Sequence, residues 1–123
     1  MESANVVISH DGKTVYGDLM QTGFTAVDAV TGRLKCSINL SSQPLLATNV
    51  LAVDPGGAFV YAGTTEGWVV AIDAKTFAVR AAFEWHMGDV AGLAITADGT
   101  KLFSSGRDGC VKVWPIRDLM TCA

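Results

Sequence analysis

The sequence predicts an all-β protein in which four-stranded antiparallel sheets repeat along the chain. Short segments rich in β-branched and aromatic residues alternate with turn signals about every eight to twelve residues. No window of helical length shows an apolar period of about 3.6 residues. The chain also resembles itself, because 42 residues separate Gly67 from its counterpart Gly109 and 45 residues separate Val27 from its counterpart Ile72. These observations indicate a β unit that occurs three times.

The unit is clearest in the segment 97–114, which reads as two strands joined by a tight turn. Asp98-Gly99 precedes the first of these strands and Asp108-Gly109 lies in the turn, and both dipeptides are strong hairpin signals. The first dipeptide aligns with the segment 53–57 in the second copy and with Asp11-Gly12 in the first. The hairpin is therefore common to all three copies.

We predict three groups of strands, taken in chain order. They lie at 4–9, 13–18, 23–28 and 33–39, then at 48–53, 58–63, 68–73 and 78–84, and finally at 90–96, 100–105 and 110–115, with a short strand near 118–122. A repeat of about 40–45 residues with four strands is typical of a β-propeller blade. A generic all-β sandwich with chance similarity is the alternative, and it would not account for three aligned copies.

The predicted domain is a single partial propeller over 1–123, with blades at about 4–40, 48–85 and 86–123. Closed propellers have about four to eight blades, so three blades make an incomplete ring. Each end blade would then expose an apolar sheet face, and the last blade would have a clipped outer strand, since Ala123 aligns with Ala81. We therefore expect other protein chains as partners: further blades from the same or another polypeptide, or a second copy in a homodimer.

The last copy resembles a WD repeat. The resemblance extends from His86 to Trp114 and includes the Asp-Gly hairpin and the spacing between His86 and Val90. Pro115 follows the tryptophan where the family has an acidic residue. The first two copies are more similar to generic propeller blades. The resemblance implies a scaffold that mediates protein–protein interaction within a larger assembly and has no catalytic activity.

The resemblance also implies a structural tetrad of buried residues, which here are His86, Ser104, Asp108 and Trp114. In this tetrad the Trp114 indole donates a hydrogen bond to Ser104. Ser104 then donates to His86, and His86 donates to Asp108. Serine, histidine and aspartate are also the components of a hydrolase triad. We favour the structural interpretation because Ser104 lies in the middle of a predicted strand, whereas a nucleophile needs an oxyanion hole beside it.

Propellers bind their partners mainly through loops, which present a broad, rigid rim. We expect the partner to contact the rim formed by the turns between second and third strands and by the loops between blades. The candidate partner-binding residues are Met20, Gln21, Glu66, Trp85, Met87, Arg107 and Arg117.

Two other functions remain as alternatives. The segment 114–117 resembles the Trp-Asp-x-Arg signature of WD-repeat substrate receptors of cullin-type ubiquitin ligases, with Arg117 facing the adaptor and Pro115 replacing the acidic residue. The second alternative is a propeller hydrolase or lactonase-like enzyme. Such an enzyme needs inward-facing His, Asp and Glu at the starts of its strands, and this sequence has almost none.

Composition and charge argue against several classes of partner. The 123 residues carry a net charge of −3, which disfavours nucleic acid and anionic membrane surfaces. The two histidines and three scattered cysteines do not have the spacing of a set of metal ligands. No Gly-rich phosphate-binding loop is present in the sequence either. We therefore expect neither a metal nor a cofactor. The cysteines are odd in number and form no Cys-x-x-Cys pair, which indicates reduced thiols in a reducing compartment. Together with the lack of a basic N-terminal signal, this indicates the cytoplasm.

Overall fold

The computed structural model describes residues 6–18, 23–39 and 48–116, and within them the chain forms eleven β-strands. The first sheet contains β1 (Val6–Ile8), β2 (Thr14–Asp18), β3 (Gly23–Asp28) and β4 (Leu34–Asn39). The second sheet contains β5 (Thr48–Val53), β6 (Phe59–Thr64), β7 (Trp68–Asp73) and β8 (Val79–Glu84). The third sheet contains β9 (Val90–Ile95), β10 (Lys101–Gly106) and β11 (Val111–Pro115). None of the described residues forms a helix long and apolar enough to cross a membrane.

Each sheet is an antiparallel meander in which every strand pairs with the next strand along the chain. The same register recurs, since Tyr16 lies opposite Ala26 in the first sheet and Tyr61 lies opposite Ala71 in the second. The predicted all-β fold is confirmed, and the observed strand ends differ from the predicted ones by at most two residues. The predicted strand near 118–122 lies outside the described residues.

Aspartates in the tight turns fix the ends of the strands. Asp98 accepts hydrogen bonds from the Thr100 hydroxyl at 2.7 Å, from the Thr96 hydroxyl at 2.7 Å and from the Thr100 backbone N–H at 3.0 Å. These bonds lower the pKa of Asp98 to about 2. Asp28 and Asp73 each accept two backbone N–H bonds in the turns after β3 and β7. The turn signals in the sequence therefore have a direct structural counterpart.

The second sheet is buried on both faces because successive side chains of a strand point to opposite sides. The even-numbered side chains of β6 and β7 join the cluster shared with the first sheet, which consists of Tyr16, Ala26, Leu51, Val60, Ala62, Val70 and Ile72. The odd-numbered side chains join the cluster shared with the third sheet, which consists of Tyr61, Val69, Ala71, Ala81, Trp85, Val90 and Leu102. The three sheets therefore stack face to face.

Within the described residues, the first and third sheets each pack against another sheet on one face only. The first end face is the side of the first sheet turned away from the second, and it carries Val6, Ile8, Val15, Val27 and Leu34. The last end face is the corresponding side of the third sheet, and it carries Ala94, Phe103, Val111 and Val113. Val111 is 73% exposed and Val6 is 63% exposed. Both ends of the stack thus present apolar side chains to solvent.

Candidate functional site

His86 lies in the loop between β8 and β9, and this loop is bonded to the β6–β7 turn of the second sheet. The backbone N–H groups of Trp85 and His86 both donate to the Gly67 carbonyl, each at 3.1 Å. Gly67 has a positive φ of 91°, and a Cβ at this position would collide with the His86 carbonyl oxygen. At Gly106, a Cβ would lie only 2.5 Å from His86 Nδ1. The two glycines therefore allow the backbone to approach the histidine closely.

His86 is the centre of a hydrogen-bonded chain that runs from β10 to the turn before β11. Ser104 Oγ lies 2.8 Å from His86 Nε2, and His86 Nδ1 lies 3.0 and 3.2 Å from the two carboxylate oxygens of Asp108. A carboxylate accepts but does not donate, so Nδ1 carries a proton, and in the neutral imidazole Nε2 then accepts from the serine hydroxyl. The His86 side chain is fully buried and Ser104 is 1% exposed. We name this chain of three residues the relay.

Asp108 is held by the backbone as well as by the histidine. Its carboxylate accepts hydrogen bonds from the backbone N–H of Met87 at 3.0 Å and of Cys110 at 3.1 Å. The Met87 N–H, followed by the His86 side chain, lowers the pKa of Asp108 to about 2. The expectation that every tetrad member is buried is wrong for Asp108, whose side chain is 17% exposed, because it sits at the tip of a hairpin turn.

Trp114 is not part of the relay. Its indole makes no hydrogen bond to Ser104, although both residues belong to the described part of the chain, so this link of the expected tetrad is wrong. Trp114 instead stacks on Trp85, with ring centroids 5.1 Å apart and an interplanar angle of 16°. The residue is 38% exposed, which lets water satisfy the indole N–H without a protein partner.

Trp85 was predicted as a candidate surface contact, and the structure contradicts this. The residue is 8% exposed, and its ring stacks with those of Trp114 and Phe83, the latter with ring centroids 5.8 Å apart. Its ring is turned into the interface between the second and third sheets, where it joins the hydrophobic cluster. Stacked aromatic rings gain more from burying their faces there than from exposing them to water.

Three other predicted partner-binding residues lie on the rim that carries the relay. Met87 is 87% exposed, although its backbone N–H is held by Asp108. Arg107 is also exposed, and its Nε lies 3.2 Å from the Asp89 carboxylate. Glu66 is exposed in the adjacent β6–β7 turn. The remaining candidates lie outside the described residues; they are Met20, Gln21 and Arg117.

A cavity of about 310 Å³ lies between the first and second sheets, at the strand ends opposite the relay. The buried residues Thr14 and Tyr16 line it, and Lys35 Nζ donates a hydrogen bond to Thr14 Oγ1 at 3.0 Å. Burial raises the pKa of Tyr16, while a hydrogen bond with Thr14 acts in the opposite direction. This cavity is not among the features predicted from the sequence. The available signal was that Thr14 aligns with Phe59, an aromatic residue.

The described residues offer no group of three or more His, Cys, Asp or Glu side chains that could hold a metal ion. The chemistry of the site therefore consists of hydrogen bonds, one buried imidazole and exposed side chains of both charges. Such an arrangement can lock a loop in place and present a rigid surface.

Comparison with known proteins gives a family match in the part of the chain that contains the relay. Residues 78–115 match the sequence model of the family described as WD domain, G-beta repeat. Over 64 residues the chain is 39% identical to WD repeat-containing protein 81 of Danio rerio, which covers 52% of this chain and 3% of that protein. Over 110 residues it is 28% identical to Transducin-like enhancer protein 2 of Mus musculus, covering 88% of this chain and 14% of that protein. The chain thus spans a small part of the length of these relatives.

A solved structure agrees with the sequence comparisons. The WD40 repeats of RRP9 superpose on 94% of this chain, and on 36% of their own chain, with a TM-score of 0.86 and 20% sequence identity. At this identity the similarity shows the fold alone, and it confirms the predicted β-propeller blades. The repeat match, the WD-repeat relative and the propeller fold agree with one another, and together they support a WD-repeat protein whose repeat is matched at residues 78–115.

Proposed function

We propose that the chain is a non-catalytic scaffold that holds other protein chains within a larger assembly. The observation that carries this proposal is the pair of apolar end faces. WD-repeat propellers generally serve as platforms for protein–protein interaction, and an exposed apolar sheet face is a contact surface that needs a partner.

The internal repeat supports an inference about the kind of surface that each end face would contact. Val15 and Val27 on the first end face are the counterparts of Val60 and Ile72 in the second sheet. Val60 and Ile72 belong to the face of the second sheet that packs against the first sheet. The first end face therefore has the composition of a face that receives a neighbouring sheet.

The last end face repeats the opposite side of the second sheet. Phe103 and Val113 lie opposite each other and are the counterparts of Tyr61 and Ala71, which belong to the cluster shared with the third sheet. Further propeller blades would complete both contacts, and they come from the same polypeptide, from another polypeptide or from a second copy of this chain. The rim with Glu66, Met87 and Arg107 then remains open for partner proteins.

The relay supports a structural role rather than catalysis. Its order of serine, histidine and aspartate is that of a hydrolase triad, but Ser104 is fully enclosed in the middle of β10. A nucleophile must reach a substrate atom at about 3 Å and needs donors for the developing oxyanion. Because Ser104 is buried, it can neither reach a substrate atom nor lie beside donors for an oxyanion. We also propose a reducing compartment, the cytoplasm, because Cys110 is an exposed free thiol.

Light scattering on the purified chain tests the scaffold proposal. At low micromolar concentration we expect a particle heavier than 12.9 kDa, the mass of one chain. Val113→Lys should reduce association because it places a charge on the last end face. Val30→Lys is the matched control, since Val30 is an exposed valine in the β3–β4 turn. A cooperatively melting monomer of the unmodified chain would contradict the proposal.

A further inference from the structure

We propose that the cavity between the first and second sheets binds an anionic group, a carboxylate or a phosphate ester, on a peptide segment of a partner protein. The inference rests on the proposed function, because it takes the ligand to be part of a protein partner. It adds a specific site and the chemistry of the group that the site receives. Both sheets that line the cavity belong to the described residues, so the site does not depend on further blades.

The first argument is a departure from the internal repeat at Thr14. Thr14 lies opposite Asp28 in the first sheet, as Phe59 lies opposite Asp73 in the second. Phe59 packs against the cluster between the second and third sheets, and Phe59 and Thr14 both line the cavity. A threonine in place of an aromatic ring leaves space open and puts a hydroxyl group on its wall.

A second departure brings a positive charge to the same place. Lys35 is the counterpart of Arg80, and each residue occupies the bulge of its fourth strand. Arg80 pairs with the turn aspartate Asp73, with Nη1 and Oδ2 3.6 Å apart. Lys35 bonds to Thr14 instead, at 3.0 Å, so its ammonium group is held against the cavity. The two departures are linked, because the hydroxyl group of Thr14 is what holds the lysine.

The ammonium group of Lys35 is the group of the cavity to which an anion would bind. The lining carboxylates of Asp11 and Asp54 already accept hydrogen bonds from backbone N–H groups of their own turns. An ammonium group has three N–H donors, and Lys35 uses one of them in its hydrogen bond to Thr14. Lys75 is a second basic residue that lines the cavity. Two donors of the Lys35 ammonium group therefore remain, and an oxygen anion would accept from them.

The size of the cavity indicates what carries the anion. A volume of about 310 Å³ is at the lower end for small-molecule sites, and it can hold one or two side chains. The cavity is bordered by the β1–β2, β5–β6 and β7–β8 turns, which leave room for the backbone of a bound peptide at the mouth of the cavity. An acidic or phosphorylated side chain of a partner therefore fits the site.

Nuclear magnetic resonance titration of the full chain with three blocked amino acids tests the inference. The probes are the N-acetyl methylamides of glutamate, phosphoserine and glutamine. We expect saturable shifts of the backbone amide signals around Thr14 and Lys35 with glutamate or phosphoserine, and none with glutamine. Tighter binding of phosphoserine would assign the site to phosphorylated segments, and equal or tighter binding of glutamate would assign it to acidic ones. Absence of saturable shifts with both anions, or equal shifts with glutamine, would overturn the inference.

Variants separate the site from general charge effects. Lys35→Met should weaken anion binding by about tenfold or more, because hydrogen bonds to charged groups each contribute about that much. Lys101→Met, which removes an exposed lysine of the third sheet, should leave binding unchanged. Thr14→Phe should fill the cavity and abolish binding. If this variant does not fold, Thr14→Val takes its place, and it should weaken binding because it removes the hydroxyl group. Unchanged binding by Lys35→Met would contradict the proposal. The probes contain no protein, so their failure would leave the scaffold function standing.

Discussion

His86 Nδ1 lies 3.0 Å from Asp108 Oδ1, and this contact ties the loop after the second sheet to the hairpin turn of the third. The backbone N–H of His86 is bonded at the same time to the Gly67 carbonyl in the second sheet. One residue thus connects two sheets through its backbone and its side chain. The relay therefore stabilises the packing of the sheets, and its removal is expected to affect stability rather than a reaction.

Truncation of the histidine should lower the free energy of unfolding. In His86→Ala, Ser104 loses its acceptor and remains a buried hydroxyl group without a partner, which costs about 1–3 kcal/mol. Thermal or urea unfolding of the variant measures the loss. Ser104→Ala should also lower the free energy of unfolding, because it leaves the buried His86 Nε2 without a hydrogen-bond partner. A melting temperature unchanged in His86→Ala would mean that the relay contributes nothing.

Lowering the pH should weaken the contribution of Asp108 to stability. The folded protein holds the pKa of Asp108 at about 2, below the ordinary value of 3.8. A group whose pKa is depressed by folding stabilises the native state above its unfolded pKa and loses this effect as the pH falls through the folded pKa. Asp108→Asn should therefore be less stable than the unmodified chain at neutral pH, and the difference should shrink between about pH 4 and pH 2. Urea unfolding at several pH values would contradict this if the difference stayed constant down to pH 2.

Substitution of Gly67 should be more damaging than substitution of another glycine with the same backbone angle. Gly67→Ala combines a positive φ of 91° with a collision between the new Cβ and the His86 carbonyl. Gly57 has a φ of 80°, and a Cβ there would meet nothing within 4 Å. We expect a cost of about 1–2 kcal/mol for Gly57→Ala and clearly more for Gly67→Ala, since only the second forces the loop to move. Equal costs in urea unfolding would mean that the close approach is unimportant.

Much of the fold could be predicted from the sequence because its signals are local. Asp-Gly and Asp-Ala dipeptides mark turns that the aspartate side chains close, and the 45-residue offset between Tyr16 and Tyr61 is reproduced in the strand register. The histidine, serine and aspartate of the relay could be placed by resemblance, since Ser104 and Asp108 lie on one hairpin and His86 lies just before the strand that pairs with it.

The orientation of Trp114 and the cavity at Thr14 could not be predicted in this way. Trp114 has two competing environments, and the choice of a ring stack over a hydrogen bond to Ser104 depends on Trp85, which the repeat motif does not include. The cavity depends on a comparison between Thr14 and Phe59 and on the direction taken by Lys35. Both features are set by side chains that meet across two sheets, and local patterns do not contain that information.

The stack of the two tryptophans predicts a graded response at Trp114. Trp114→Phe keeps an aromatic face against Trp85 and should lose little stability, because no hydrogen bond of the indole N–H is broken. Trp114→Ala should lose more, and a double-mutant cycle with Trp85→Leu should give a coupling energy of about 0.5–1.5 kcal/mol for the pair of rings. Urea unfolding of the variants provides the measurement. A loss in Trp114→Phe as large as that in Trp114→Ala would indicate that the indole nitrogen, and so the expected tetrad, matters after all.

Two tyrosines at equivalent positions of the repeat should respond in opposite directions to loss of their hydroxyl groups. The Tyr61 hydroxyl is buried and has no hydrogen-bond partner, and burial raises its pKa to about 12. Tyr61→Phe removes a polar group that pays a desolvation cost without compensation, so the free energy of unfolding should stay constant or rise by about 1 kcal/mol. Tyr16 has a hydrogen bond with Thr14, so Tyr16→Phe should lower the free energy of unfolding by about 0.5–1.5 kcal/mol. Each variant is the control of the other, because the same group is removed at the same strand position. Destabilisation by Tyr61→Phe as large as by Tyr16→Phe would show that the Tyr61 hydroxyl is satisfied in solution, for example by a buried water molecule.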